Sequence, residues 1–229
     1  MTQVDRAAVN IAGPIADAHG RAANIRMMNR MTKTLFLPGA GASASFWKPI
    51  ADLAGLDGAF FAWPGLGNEP ATPDVNGIDD LVAMVLDHMD EPVNIVAQSM
   101  GGLVAVKAAL VAPEKLSRLV LAVTSAGVPV ADLGGSNWQS DYYRAYPHAA
   151  QWIGEASEDL SDQIMSIEAP TLLLWGDSDP ISPVAVGERL LSLLPNANLH
   201  VVRGGDHDLA QTHTPAVANL IKRHFATAS

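Results

Sequence analysis

Val93-Asn94-Ile95-Val96-Ala97-Gln98-Ser99-Met100-Gly101-Gly102 is the stretch on which the reading of this chain turns. An apolar strand runs into a small residue, a spacer, a serine, a second spacer and a glycine, and a helical pattern begins at once. The layout predicts a nucleophile elbow, a strand-to-helix turn so tight that the serine takes a strained backbone conformation and its hydroxyl stands clear of the sheet. Two positions either side of the serine need small side chains, because larger ones collide with the neighbouring strand and helix. Gly101 meets that need, and Ala97 takes the other place without adding much bulk. The competing reading makes Ser99 a plain helix N-cap, and the rest of the chain has to decide between the two.

A serine hydroxyl is a poor nucleophile at neutral pH and needs a base, most often histidine, to take its proton. The imidazole in turn needs a carboxylate to fix its tautomer, and the developing oxyanion needs two preorganised donors. Both partners follow Ser99 in the order serine, acid, histidine. Gly176-Asp177-Ser178-Asp179-Pro180 is a turn with two acids after an apolar run, and Gly204-Gly205-Asp206-His207-Asp208 is a glycine turn after another. Asp179 is the expected acid, while Asp177 competes as a residue that holds the loop by hydrogen bonds. His207 stands out among seven histidines because His88, His200 and His224 fall within helix or strand patterns, His19 lies near the amino terminus, and His148 and His213 follow no glycine turn. Asp177, Asp179, Asp206 and His207 together could also suggest a metal site, but the serine arrangement already accounts for them and no metal is expected.

Outward from these turns, short apolar strands alternate with amphipathic helices, the pattern of a parallel α/β domain. Strands are predicted at 34–37, 59–62, 93–97, 119–123, 171–175 and 199–202. Helices are predicted at 45–53, 78–89, 101–111, 184–194 and 215–225. The strands are continuously apolar, as expected when helices cover both faces of the sheet. All three turns that carry Ser99, Asp179 and His207 lie at carboxyl ends of strands, where open α/β sheets build their sites.

One segment breaks the alternation. Residues 128–168 contain no evident strand but hold all three tyrosines, Tyr142, Tyr143 and Tyr146, along with Trp138 and Trp152. Ser136 and Pro147 read as helix starts. The segment is expected to be a small helical cap whose five aromatics line an apolar substrate pocket, although the same residues could simply glue the insertion to the core.

Composition excludes several other functions. At 229 residues the chain suits one sizeable domain, and 48% apolar with 17% charged residues argues against disorder. A formal net charge of −10 is unsuited to nucleic acid or an anionic membrane surface. There are no cysteines, so disulfides, thiolate metal sites and cysteine catalysis are excluded. No apolar run reaches the ~20 residues that span a bilayer, and no secretory signal pattern opens the sequence, so a cytoplasmic location is expected. Residues 1–32, rich in Ala, Asn, Arg and Met, read as a loosely ordered or helical leader, with Asp5 and Asp17 unlike a transit peptide.

From Thr34 to the carboxyl terminus the chain resembles the α/β-hydrolase superfamily. Four motifs carry the resemblance in order: Leu37-Pro38-Gly39-Ala40-Gly41, Pro64-Gly65-Leu66-Gly67, Ala97-Gln98-Ser99-Met100-Gly101-Gly102, and the paired turns bearing Asp179 and His207. The resemblance implies a mostly parallel sheet of about six strands with helices on both faces and a short helical cap. The core would comprise 33–127 and 169–229, with 128–168 inserted. It implies Ser99 as nucleophile, His207 as base and Asp179 as its partner, with an oxyanion hole from the backbone N–H groups of Ala40 and Met100 and no cofactor. Pro38 departs from the family's usual histidine before Gly39, which bears on how the oxyanion loop is held. The implied activity is hydrolysis of a small carboxylic ester. Carbon–carbon hydrolysis or acyl transfer on the same triad, or ligand binding without turnover, are the alternatives; substrate and oligomeric state are not legible.

Overall fold

The computed structural model describes residues 32–155 and 158–226; the leader expected over residues 1–32 lies, apart from Thr32, outside them. Six strands, all parallel, form one sheet: β1 (Thr34–Leu37), β2 (Gly58–Phe60), β3 (Val93–Gln98), β4 (Leu116–Ala122), β5 (Thr171–Gly176) and β6 (Ala197–Val202). Their order is β2-β1-β3-β4-β5-β6. Phe36 pairs with Val96, Ala97 with Leu121, Ala122 with Leu174, and Gly176 with Val202, so the carboxyl ends of the central strands are level.

The helices follow from the crossovers. α1 (Lys48–Ala54) returns the chain from β1 to β2, whereas α2 (Ile78–Leu86), α3 (Met100–Val111) and α6 (Val184–Leu193) carry it the opposite way across the sheet. Right-handed crossovers therefore put α1 on one face and the other three on the second. α8 (Thr214–Ala226) packs beside α1, and α2 beside α3, which covers both faces. β1, β3 and β5 are buried along their whole length, as their unbroken apolar runs require. The chain leaves β1 in one direction and β3 in the other, which opens a crevice at their carboxyl ends.

Local chemistry sets several boundaries. α1 begins at Lys48 rather than near Ser45, because Pro49 suits the first helical turn, where its missing N–H costs nothing. It ends at Gly55, which takes the left-handed conformation (φ 69°) and lets the next amide bond back to Ala51. The fourth strand starts at Leu116, three residues before its predicted start.

Between β4 and β5 the described residues form two short 3₁₀ turns, Ala131–Leu133 and Gln151–Gly154, and two α-helices, α4 (Gln139–Ala145) and α5 (Ser161–Ile164). The helix expected at Ser136 starts three residues later, where Asn137 Oδ1 accepts the Gln139 N–H at 2.9 Å. No helix starts at Pro147, which lies in a turn closed by the Ala149 amide on the Tyr146 carbonyl. Another helix that periodicity did not predict, α7 (Leu209–Thr212), follows directly on His207. Among the described residues no helix is long and apolar enough to cross a membrane.

Candidate active site

Ser99 sits between β3 and α3 with φ 52° and ψ −124°. That region is disfavoured for any residue with a Cβ and costs about 1–3 kcal/mol, offset by the packing that fixes the turn. The packing is tight: a Cβ on Gly101 would lie 2.5 Å from the Pro38 carbonyl oxygen, and one on Gly102 would lie 2.4 Å from Thr124 Oγ1. The turn therefore cannot relax without moving β1 or the end of β4.

The turns after β5 and β6 come together at another crowded point, where a Cβ on Gly176 would fall 2.0 Å from the Gly205 carbonyl oxygen. Asp177 and Asp179 divide the work there. Asp177 Oδ1 accepts the Gly204 N–H at 2.6 Å and so ties the two turns together. Asp179 is buried; its Oδ1 accepts the amides of Ile181 at 2.8 Å and Ser182 at 3.1 Å, and its Oδ2 lies 2.8 Å from His207 Nδ1. His207 Nε2 lies 3.0 Å from Ser99 Oγ. Gln98, just before the serine, donates its side-chain amide to the His207 carbonyl at 3.2 Å. Serine, histidine and carboxylate thus form one hydrogen-bonded line, in which a proton can pass from Oγ to Nε2 while the Nδ1–H stays on the carboxylate.

Ala40 and Met100 border the same cavity as Ser99. Met100 is the first residue of α3, so its N–H has no acceptor within the helix. The Ala40 N–H likewise has no backbone acceptor among the described residues. The loop carrying Ala40 is held from three directions that the sequence did not reveal. Trp63 Nε1 donates to the Pro38 carbonyl at 2.8 Å and Trp47 Nε1 to the Leu37 carbonyl at 3.1 Å. From α4, the Tyr142 hydroxyl donates to the Ala40 carbonyl at 3.3 Å and accepts the Gly67 N–H at 3.0 Å. Burial pushes the Tyr142 hydroxyl up from its ordinary pKa, which keeps it a donor. The Tyr146 hydroxyl donates to the Gly41 carbonyl at 2.8 Å, and its ring packs so close to Gly41 that a Cβ there would meet it at 2.9 Å. These contacts brace the loop on both sides of Pro38-Gly39.

A cavity of about 870 Å³ opens over Ser99 and His207. Of the five aromatics assigned to a pocket, Trp138, Tyr142 and Tyr146 line it, whereas Tyr143 and Trp152 do not. Successive residues of a helix point about 100° apart, so Tyr142 and Tyr143 cannot face the same space. Tyr143 instead donates its hydroxyl to the Gln151 carbonyl at 3.0 Å and fixes α4 to the 3₁₀ turn, and Trp152 in that turn packs against the core. The lining that sequence reasoning missed includes Phe46, Leu103, Val130, Ile153, Ile181 and Val186. They come from separate elements and share no local pattern; only their apolar character was available as a signal. Among the described residues no three acidic or histidine side chains gather in a way that would hold a metal ion.

Comparison with known proteins agrees with this architecture. The sequence profile described as the alpha/beta hydrolase family matches residues 34–220. A poly(3-hydroxyalkanoate) depolymerase of Ectopseudomonas oleovorans is 28% identical over 240 residues, covering 84% of each chain. A 2-hydroxy-6-oxononadienedioate/2-hydroxy-6-oxononatrienedioate hydrolase of Cupriavidus pinatubonensis is 26% identical, covering 80% of this chain and 82% of its own. The crystal structure of a serine hydrolase from Cycloclasticus zankles superimposes with a TM-score of 0.68 at 22% identity, over 85% of this chain and 89% of that one.

Proposed function

Because this chain belongs to the alpha/beta hydrolase family, we propose that it is a serine hydrolase that cleaves a small carboxylic ester through an acyl-enzyme. The observation that carries the proposal is the unbroken line from Asp179 through His207 to Ser99, with spacings of 2.8 and 3.0 Å, on the floor of a partly apolar cavity. Ser99 Oγ attacks the carbonyl carbon and His207 Nε2 takes the hydroxyl proton. The N–H groups of Ala40 and Met100 hold the oxyanion. His207 then gives its proton to the departing alcohol. Water, deprotonated in turn by His207, attacks the acyl-enzyme and releases the acid, leaving Ser99 and His207 as they began.

We take residues 128–168 as a cap on a core of 33–127 and 169–229, with Trp138, Tyr142 and Tyr146 as its pocket-facing side chains. A poly(3-hydroxyalkanoate) is linked by esters, so the likeness to the depolymerase supports the ester reading. Carbon–carbon hydrolysis on the same triad is the second reading, favoured by the likeness to the nonadienedioate hydrolase. The test is labelling by a fluorophosphonate together with hydrolysis of p-nitrophenyl esters of graded acyl length. Labelling confined to Ser99 and an ester rate abolished in Ser99→Ala are expected. Labelling without turnover of any ester would leave the carbon–carbon reading in place, and no labelling would remove both.

A further inference from the structure

The cavity lining mixes hydrocarbon with polar side chains. Val130, Trp138, Ile153, Ile181 and Val186, contributed by the chain beyond β4 and β5, present hydrocarbon. Ser43 and Ser45 of the loop after β1, with Gln211 and Thr212 of α7, present polar atoms. Most of those polar groups are already engaged within the protein. The Ser43 and Ser45 hydroxyls share a hydrogen bond of 2.8 Å, and the Gln211 side-chain amide donates to the Phe46 carbonyl. The Thr212 hydroxyl lies 2.9 Å from His213 Nδ1 and 3.2 Å from Asp206 Oδ1. Tyr142 and Tyr146 direct their hydroxyl protons at the Ala40 and Gly41 carbonyls.

The charges on the lining all have one sign. Among the described residues that border the cavity there is no lysine or arginine, and the carboxylates are Asp141 and Asp208. Asp141 is paired with Arg144 at 2.8 Å on the exposed surface of α4. Asp208, next to His207, has no cationic partner among the described residues. A carboxylate brought into this space would shed water and gain no counter-ion. It would also stand near a second carboxylate, on a protein whose formal net charge is −10. A neutral ester meets none of these penalties.

We infer that the ester taken by this site carries no anionic group in either its acyl or its alcohol part, its apolar portion resting on the hydrocarbon side chains of the lining. The inference rests on the serine-hydrolase reading for its chemistry, and it separates this cavity from one built for a dicarboxylate. The experiment compares methyl p-nitrophenyl adipate with p-nitrophenyl hydrogen adipate, acyl groups matched in length and differing in charge, with the uncatalysed rates subtracted. The neutral ester is expected to exceed the anionic one in kcat/KM by about tenfold or more at low salt. The gap should narrow as ionic strength rises, because Asp208 and Asp141 face solvent. Asp208→Asn should narrow it at constant salt.

Binding of adipic acid monomethyl ester amide and of the corresponding free acid amide to Ser99→Ala, followed calorimetrically, gives the same comparison without turnover. If neither ester is hydrolysed but the neutral amide binds about tenfold more tightly, the ester reading falls and the charge preference stands. An anionic ester turned over as well as its neutral match, or an anionic amide bound as tightly, overturns the inference whatever the chemistry. A charge preference untouched by salt and by Asp208→Asn would overturn the electrostatic basis given for it.

Discussion

At the scale of single residues, the two acids of the Gly176–Pro180 turn sit two positions apart and do unlike work. Asp179 Oδ2 is 2.8 Å from His207 Nδ1, while Asp177 spends Oδ1 on the Gly204 amide. Asp179→Asn should lower kcat by about three to four powers of ten, since an amide can present its N–H to Nδ1 and hold the imidazole in the wrong tautomer. Asp177→Asn should cost thermal stability and only a modest rate factor. Steady-state kinetics beside thermal melts of both variants decide this, and the opposite ranking would move the acid to Asp177. Ser99→Ala and His207→Ala should each remove nearly all ester hydrolysis, and the double variant little more, because members of such a line act as a unit. Sequence gave the residue types and their order. It favoured Asp179 over its competitor Asp177, but which carboxylate reaches a histidine 28 positions away depends on how two turns pack.

At the scale of elements, α4 touches both the cavity and the loop that carries the Ala40 amide. Tyr146→Phe keeps the ring against Gly41 but removes the hydroxyl that donates to its carbonyl. The loop should then sample geometries that misplace the Ala40 N–H, so kcat is expected to fall about tenfold with KM little changed. The melting temperature should drop by no more than the loss of one hydrogen bond, about 1 kcal/mol, implies. A rise in KM at constant kcat would make Tyr146 a substrate contact instead. The pocket wall gives a second comparison. Each extra methylene buried along an acyl series gains about 0.8 kcal/mol until the space is full. Trp138→Ala, which enlarges the cavity, should flatten that climb, whereas Trp152→Ala, outside the lining, should leave its slope intact and reduce stability. Equal slopes in wild type and Trp138→Ala would place the acyl group elsewhere.

At the scale of the whole molecule, α8 packs beside α1 and against the sheet, and its contact with β4 carries a pH dependence. His224 Nε2 lies 3.1 Å from the Leu119 carbonyl oxygen. Burial, and next the charge of Arg118, hold its pKa below the ordinary histidine value of 6.5. The unfolded chain therefore takes up a proton that the folded chain resists as the pH falls below 6.5. The sign follows from linkage: the stability this neutral histidine allows is present above that value and is lost progressively in acid. His224→Gln should make the decline of melting temperature between about pH 7 and about pH 5 shallower than in wild type. An unchanged slope would show that His224 is not a source of the acid sensitivity.

The sequence by itself determined the alternation of buried strands and helices, the elbow at Ser99, and the order in which serine, acid and histidine arrive, because each is written in a local pattern of apolar runs, small residues and turns. It could not determine which side chains meet across the crevice between β1 and β3. That the indoles of Trp47 and Trp63 and the hydroxyls of Tyr142 and Tyr146 hold the loop that carries Pro38 and Ala40 follows from contacts between residues as many as 105 positions apart. That Tyr143 turns away from the cavity follows from the 3.6-residue period of α4 once Tyr142 faces it. Local pattern fixes what a segment becomes; only close packing of distant segments fixes which atoms it touches.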